Sequence, residues 1–383
     1  MGLLSACSTA RPLAPRAQTA QPTVPATAPA SDATTQTVAA ANAFVATLDD
    51  AAKAKLIYPF DGDQKTKWSN FPVGMYPRNG VRWGDLTAAQ RAAATRLLTT
   101  ALSKSGFDKV RAIMQGDEVL KVAEKEHPSG PPPFGGPDGP PNGKQHGPPG
   151  GDRQGPPPGL HMGNFRGPSF GRDEYFLAFC GAPSSTQPWM LQFGGHHLAI
   201  NLTMVGKRAV MTPSLPAAQP ATYELEGQTV RPLGRENDEA FALINALDSA
   251  QQKQAILNYR VSDLVLGPGE DGKTIQPEGI RASALTPAQQ RMLLDLAHEW
   301  VGIVNDQAAT ARMAEIASTL ADTYFAWSGP TTNGASAYFR IQGPTLVIEY
   351  SPQRMHGPGG LDHEHIHTIY RDPTNDYGAR LVQ

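Results

Sequence analysis

GVRWGDLTAAQR (residues 80–91) and GIRASALTPAQQR (residues 279–291) open alike and decide how the chain is read. Each sets Gly-x-Arg five residues ahead of a threonine, Thr87 or Thr286, with the chemistry of a helix N-cap. Pro287 then falls at the first helical position, where its missing N–H costs nothing. Leucines follow at helical spacing: Leu97, Leu98 and Leu102 in one copy, Leu293, Leu294 and Leu296 in the other.

The likeness resumes downstream. YFLAFCGAP (175–183) matches YFAWSGP (324–330), and WMLQFGGHHLAINL (189–202) matches AYFRIQGPTLVIEY (337–350), with Gly195 opposite Gly343 and Ile200 opposite Ile348. The offset between copies shortens from 199 residues at Gly80/Gly279 to 148 at Gly195/Gly343, so the first copy holds extra chain. Residues 126–168, which include GPPPFGGPDGPPNGK (130–144), account for most of it. Gly and Pro at that density exclude helix and ladder, so the segment reads as a disordered insertion whose His127, His146 and His161 are solvated. Each copy reads as a helical part followed by two antiparallel strands joined at a glycine turn. Residues 38–57 read as one helix ending before Pro59, and residues 239–257 as an amphipathic connecting helix. The expected fold class is α+β. A duplicated helix-plus-antiparallel-hairpin unit, its halves about 80–212 and 279–383, forms one globular domain (35–383) with pseudo-two-fold symmetry.

Bulk properties narrow the function. The chain has 383 residues, 40% of them apolar, and a formal charge of −2, which gives nucleic acid no electrostatic footprint. Cys180 lies in an apolar run and reads as a buried free thiol. Cys7 ends LSAC (4–7), the small-residue pattern of a lipoprotein cleavage site behind a truncated leader. Residues 8–34 are Ala, Thr, Pro, Gln and Ser with almost nothing large, so residues 1–34 read as a truncated signal plus a disordered tether. No stretch reaches the roughly 18 apolar residues of a membrane span. The expectation is an exported protein, periplasmic or held at the membrane through a lipid on Cys7 alone.

The chemistry concentrates in histidines. In HEHIHTIYRDP (363–373) a strand puts His363, His365 and His367 on one face. Imidazoles two residues apart can converge on one ion, which singles out His365 and His367, while His363 beside the loop GPGGLD is set aside. In GGHHLAIN (194–201) strand alternation sends His196 and His197 to opposite faces, so one of the two joins a given site. Glu349, in the otherwise apolar TLVIEY, needs a partner, and the choices are a metal, a general-base role, or an arginine such as Arg340 or Arg371. Arg371, Asp372 and Asp376, in the polar turn YRDPTNDYG (370–378), are candidates to orient the imidazoles from behind.

HEHIH (363–367), GPSFG (167–171) and GPGEDGKT (267–274) have the letters of HExxH, GxSxG and the P-loop, but the first reads as strand and the other two open no helix, so the zincin, α/β-hydrolase and NTPase readings lack their structural context; CxxC is absent, which removes the thiol-redox one. GGHHLAIN and HIHTIYRDPTNDYG, with the LTAAQR-type helix starts, resemble a bacterial family catalogued as a domain of unknown function, the one numbered three thousand five hundred. The resemblance covers roughly Val38 to Gln383 and implies no established activity. The functional expectation is an exported metal-dependent enzyme acting on a small molecule. His365, His367 and one of His196 or His197 would bind zinc, copper or iron, with Glu349 as fourth ligand or general base, for hydrolytic or oxidative chemistry. The alternative is a non-catalytic metal-binding or sequestering lipoprotein. A third reading leaves the histidines as hydrogen-bonding groups in a scaffold.

Overall fold

Asp32 opens a chain order that occurs twice. It runs α1 (Ala33–Ala46), α2 (Asp50–Leu56), β1 (Ile57–Tyr58), a long irregular segment, β2 (Val81–Arg82), α3 (Ala88–Ala101), α4 (Lys104–Glu126), then β3 (Phe176–Cys180), β4 (Trp189–Gly195) and β5 (Leu198–Val205). Four short strands follow: β6 (Arg208–Val210), β7 (Leu215–Pro216), β8 (Tyr223–Leu225) and β9 (Gln228–Val230). The order then repeats as α5 (Gly234–Ala246), α6 (Ser249–Ala255), an irregular segment, β10 (Ile280–Arg281), α7 (Pro287–Val301), α8 (Asp306–Ser318), β11 (Tyr324–Ser328), β12 (Tyr338–Gly343) and β13 (Leu346–His356). β14 (Asp362–Arg371) follows β13 and pairs antiparallel with it, as the much shorter β6 does with β5. This computed structural model describes residues 32–126, 168–356 and 362–382. Cys7, His127, His146, His161 and the side chain of His363 lie outside the described residues. The class is mixed α+β, as expected.

Gly80 and Gly279 explain why the two motifs match. Both have positive φ, 117° and 92°. A Cβ on either would sit 2.3 or 2.1 Å from a strand carbonyl oxygen, that of Leu177 or Phe325. Glycine alone permits both the conformation and the approach. Thr87 and Thr286 each close a capping box, with Gln90 and Gln289 as the reciprocal partners. The two helices expected at 38–57 and 239–257 are each broken in two. Asp49 and Asp248 accept amide hydrogen bonds as N-caps, so a second helix starts where continuous apolar spacing suggested one rod. Each round ends in three antiparallel strands rather than two, because YFLAF and YFAWS also pair into the ladder.

β8 pairs with β9 in a separate hairpin, and the other strands form two large sheets, β1-β3-β4-β5-β6 with β2 and β7 attached, and β10-β11-β12-β13-β14. A single segment stitches them. β7 pairs with β5, and its flanks Ser214 and Ala218 bridge to Tyr370 and Ile366 of β14. β5, β7 and β14 therefore lie side by side at the seam.

Each sheet has one apolar and one polar face. In the second, Phe325, Trp327, Phe339, Ile348 and Tyr350 pack with Phe241 of α5 and with Leu293, Leu296 and Trp300 of α7. The opposite face carries Tyr338, Arg340, Gln342, Glu349 and Ser351, all buried. Buried polar groups need partners, and the irregular segment 258–278 supplies them by lying across this face as a strap. The Ser328 hydroxyl donates to Tyr259 O, Gln353 to Ser262 O, Gln342 to Ile275 O, and Arg340 to Glu278. The first sheet is covered in the same manner by residues 59–79, where Gln192 donates to the carbonyls of Gln64 and Lys65. Where the straps meet over the seam, Trp68, Ala199, Leu215, Ala217 and Ile369 form a small apolar cluster. No helix among the described residues is long and apolar enough to cross a membrane.

Candidate metal centre

His196 and His197 are not strand residues. They form the two-residue turn between β4 and β5, closed by the Gly195–Leu198 pair. His197 takes φ 56°, a left-handed conformation uncommon outside glycine. The turn is held on both sides of His197: its N–H donates to Asn70 O (3.1 Å), and its carbonyl accepts from Ala217 N (2.9 Å).

Register then brings three imidazoles together. Leu198 pairs with Pro216, and Ala218 with Ile366, so His197, Ala217 and His367 follow one another across β5, β7 and β14. Strands spaced about 4.8 Å apart put the outer two backbones about 10 Å from each other. The methyl of Ala217 is short enough for both rings to lean over it, leaving their centroids 5.3 Å apart. His365, two residues back on the same face of β14, lies 5.4 Å from the His197 ring and 4.8 Å from that of His367. One nitrogen from each of the three lies within 4.8 Å of the others. A tetrahedral ion bound at about 2.0–2.1 Å needs nitrogens about 3.4 Å apart, so shifts of about 1 Å close the set.

The electrostatics suit a cation. Burial, then the charges His196, His367 and His365 would carry, hold His197 well below the imidazole range. Burial, then His367, pushes His365 down to about 3. Both rings are therefore neutral at pH 7 and keep a free lone pair. Nδ1 of each is buried with no hydrogen-bond partner. His367 is partnered differently. Its Nδ1 lies 3.0 Å from Asp263 Oδ1, and its Nε2 lies 3.3 Å from Asn70 Nδ2. A carboxylate only accepts, so Nδ1 carries the proton and Nε2 holds the lone pair. Burial raises the Asp263 carboxyl, but its hydrogen bond from His367 and that from the Leu264 amide win, leaving it below the usual range. This carboxylate–imidazole pairing is the arrangement that orients a metal-binding histidine.

His196 belongs to a neighbouring network. Its ring lies tilted against that of His197 (3.8 Å between centroids), but its Nδ1 lies 2.7 Å from Asp117 Oδ1 on α4. Tyr175 donates to the carbonyl of His196, and Phe170 packs against its ring.

The family model described as protein of unknown function (DUF3500) matches residues 30–379. The chain belongs to the DUF3500 family. No curated protein and no solved structure matches it. The DUF3500 match spans all three clustered histidines and both straps.

Three of the residues singled out by sequence thus converge in this DUF3500 chain: His197, His365 and His367. Glu349 does not join them. It is fully buried, and its carboxylate accepts from Val265 N (2.9 Å), Leu266 N (2.8 Å) and the Tyr338 hydroxyl (2.6 Å). Arg340, its cross-strand neighbour, turns to Glu278 instead. Arg371, Asp372 and Asp376 touch no imidazole. Arg371 donates to the carbonyls of Leu266 and Gly267 and to Asp271 and Asp376. Asp372 caps its own turn at Thr374 and pairs with Arg312. Glu349 and Arg371 together pin residues 265–267 onto the sheet, which places Asp263 at His367. The imidazole partners that sequence reasoning missed are Asp263, Asn70 and Asp117. Only Asp117 left a signal: it falls on the apolar stripe of α4 with Val110, Ile113, Met114 and Leu120.

Proposed function

We propose that this chain binds a divalent metal ion through His197, His365 and His367 and uses the ion's open position for catalysis. The supporting observation is the pair of buried, neutral imidazoles whose Nδ1 atoms find no partner in the protein. Such atoms are costly to leave alone, and a metal beside a third histidine satisfies them. Three neutral ligands leave both positive charges on the ion, the condition under which a bound water loses its proton near neutral pH. Zinc would serve hydrolysis; copper or iron in the same ligand set would serve oxidative chemistry.

The surrounding residues have definite parts in this reading. Asp263 fixes the tautomer and plane of His367. Once Nε2 of His367 turns to the ion, the Asn70 amide loses its acceptor and becomes a donor for an oxygen ligand. His196 is not among the imidazoles whose nitrogens lie within 4.8 Å of one another, so it does not supply a fourth ligand to close the site. That favours catalysis over simple capture of metal, which would be served by a closed site. We also propose that the two rounds of elements are a duplicated unit with pseudo-two-fold symmetry. The His196–His197 turn would then correspond to the Pro344–Thr345 turn, with histidine acquired on one side alone.

The test is elemental analysis of untagged protein purified without added metal, beside His365→Ala/His367→Ala. About one ion per chain in the first and none in the second is expected. Equal metal in both would remove the proposal.

A further inference from the structure

We propose that the cavity between the second strap and its sheet is a binding site for a small polyhydroxy carboxylate. Along most of its length the strap hydrogen-bonds directly to the polar face. At residues 260–262, where Val261 N–H donates to Ser328 Oγ and Ser262 O accepts from Gln353, a cavity of about 210 Å³ remains, lined by Arg260, Ser262, Ser328, Ser336, Tyr338 and Gln353 among others. That volume holds several waters, or one molecule of about sugar-acid size.

The lining sets the ligand class. Three of its groups are already committed. The Ser328 hydroxyl donates to Tyr259 O, that of Tyr338 donates to Glu349, and the Gln353 amide holds Ser262 O and Ser351 Oγ. Left over are the Arg260 guanidinium, which makes no ion pair or hydrogen bond within the described residues, and the hydroxyls of Ser262 and Ser336. Among the described residues no carboxylate lines the cavity. A planar cationic fork with no internal partner matches a carboxylate in two parallel hydrogen bonds. The two free hydroxyls suit a ligand that is itself hydroxylated, and the apolar part of the wall, Val261 and Pro352, is small.

Position adds to this. Ser262 precedes Asp263, the partner of His367, and Gln353 pairs across the ladder with His365. The cavity therefore adjoins the histidine cluster along both the strap and the sheet. Its ligand chemistry does not depend on whether those histidines hold metal.

The test is isothermal titration of the full chain, metal-free and metal-loaded, with gluconate, with sorbitol as the uncharged counterpart, and with inorganic phosphate. Saturable gluconate binding is expected in both forms, with sorbitol weaker by about tenfold or more. Arg260→Gln, at an exposed residue, and Ser336→Leu, which fills the space but keeps the charge, should each lose about tenfold or more. Arg96→Gln on α3 should change nothing. Gluconate binding unaltered by Arg260→Gln, equal binding of sorbitol, binding of phosphate alone, or no saturable binding would each overturn the assignment. Gluconate binding by a protein that takes up no metal would uphold the cavity and reject the metal centre.

Discussion

Replacing His365 with asparagine should make the metal-free protein less sensitive to acid. His365 is 4% exposed and titrates at about 3, against an ordinary imidazole value of 6.5. Below pH 6.5 the unfolded chain takes up a proton here that the folded chain refuses, so stability falls as pH falls, until the folded group also titrates. At about pH 5.5, one unit below the unfolded value, that loss is about 1.4 kcal/mol from this residue. At about pH 4.5 it reaches about 2.7 kcal/mol. His197 is shifted in the same direction by the same burial and adds to the loss. The assay is urea denaturation of chelator-treated wild type and His365→Asn at about pH 7 and about pH 5.5. Comparing how much each loses cancels any difference in absolute stability. The wild type should lose about 1.3 kcal/mol more than the variant over that interval, since a small part of the loss is already present at about pH 7. Equal losses would mean that His365 titrates like a solvated imidazole, and the closed, neutral pocket would be refuted.

Three other outcomes follow from the geometry. Ala217→Leu puts a bulky side chain between the two rings that lean over residue 217, so it should abolish metal uptake, read by chelator competition, while circular dichroism stays that of a folded protein. Asp263→Asn should weaken the metal about 10- to 100-fold in the same competition with little change in stability, because Asp263 is half exposed and acts through His367. Glu349→Ala strands two strap amides and the Tyr338 hydroxyl, and should cost about 3–5 kcal/mol in denaturant while also loosening metal by freeing the Asp263 strap.

What was legible in the sequence is local. Gly80 and Gly279 are required by backbone conformation and close approach, and Thr87 and Thr286 by capping, so these positions carry their reason within a few residues. Alternation along β14 likewise placed His365 and His367 together. The turn at His196–His197 was misread as strand because two-residue turns are signalled by Gly, Asn or Asp at positive φ, and here a histidine takes that position. Glu349 looked like a site residue because a buried carboxylate in an apolar strand demands a partner. Its partners turned out to be backbone amides of a strap with no periodicity to announce it. Asn70 and Asp263 lie on those straps, and only the seam between the two sheets brings them to the histidines. Adjacency of that kind is set by strand order, which single-residue patterns do not encode.

The claim that one ion sits among His197, His365 and His367 is tested most directly by X-ray absorption on zinc-loaded protein. Three imidazole scatterers at about 2.0–2.1 Å plus a lighter oxygen shell are expected, with one imidazole lost in His197→Ala. A first shell without imidazole, or one that His197→Ala leaves unchanged, would contradict it.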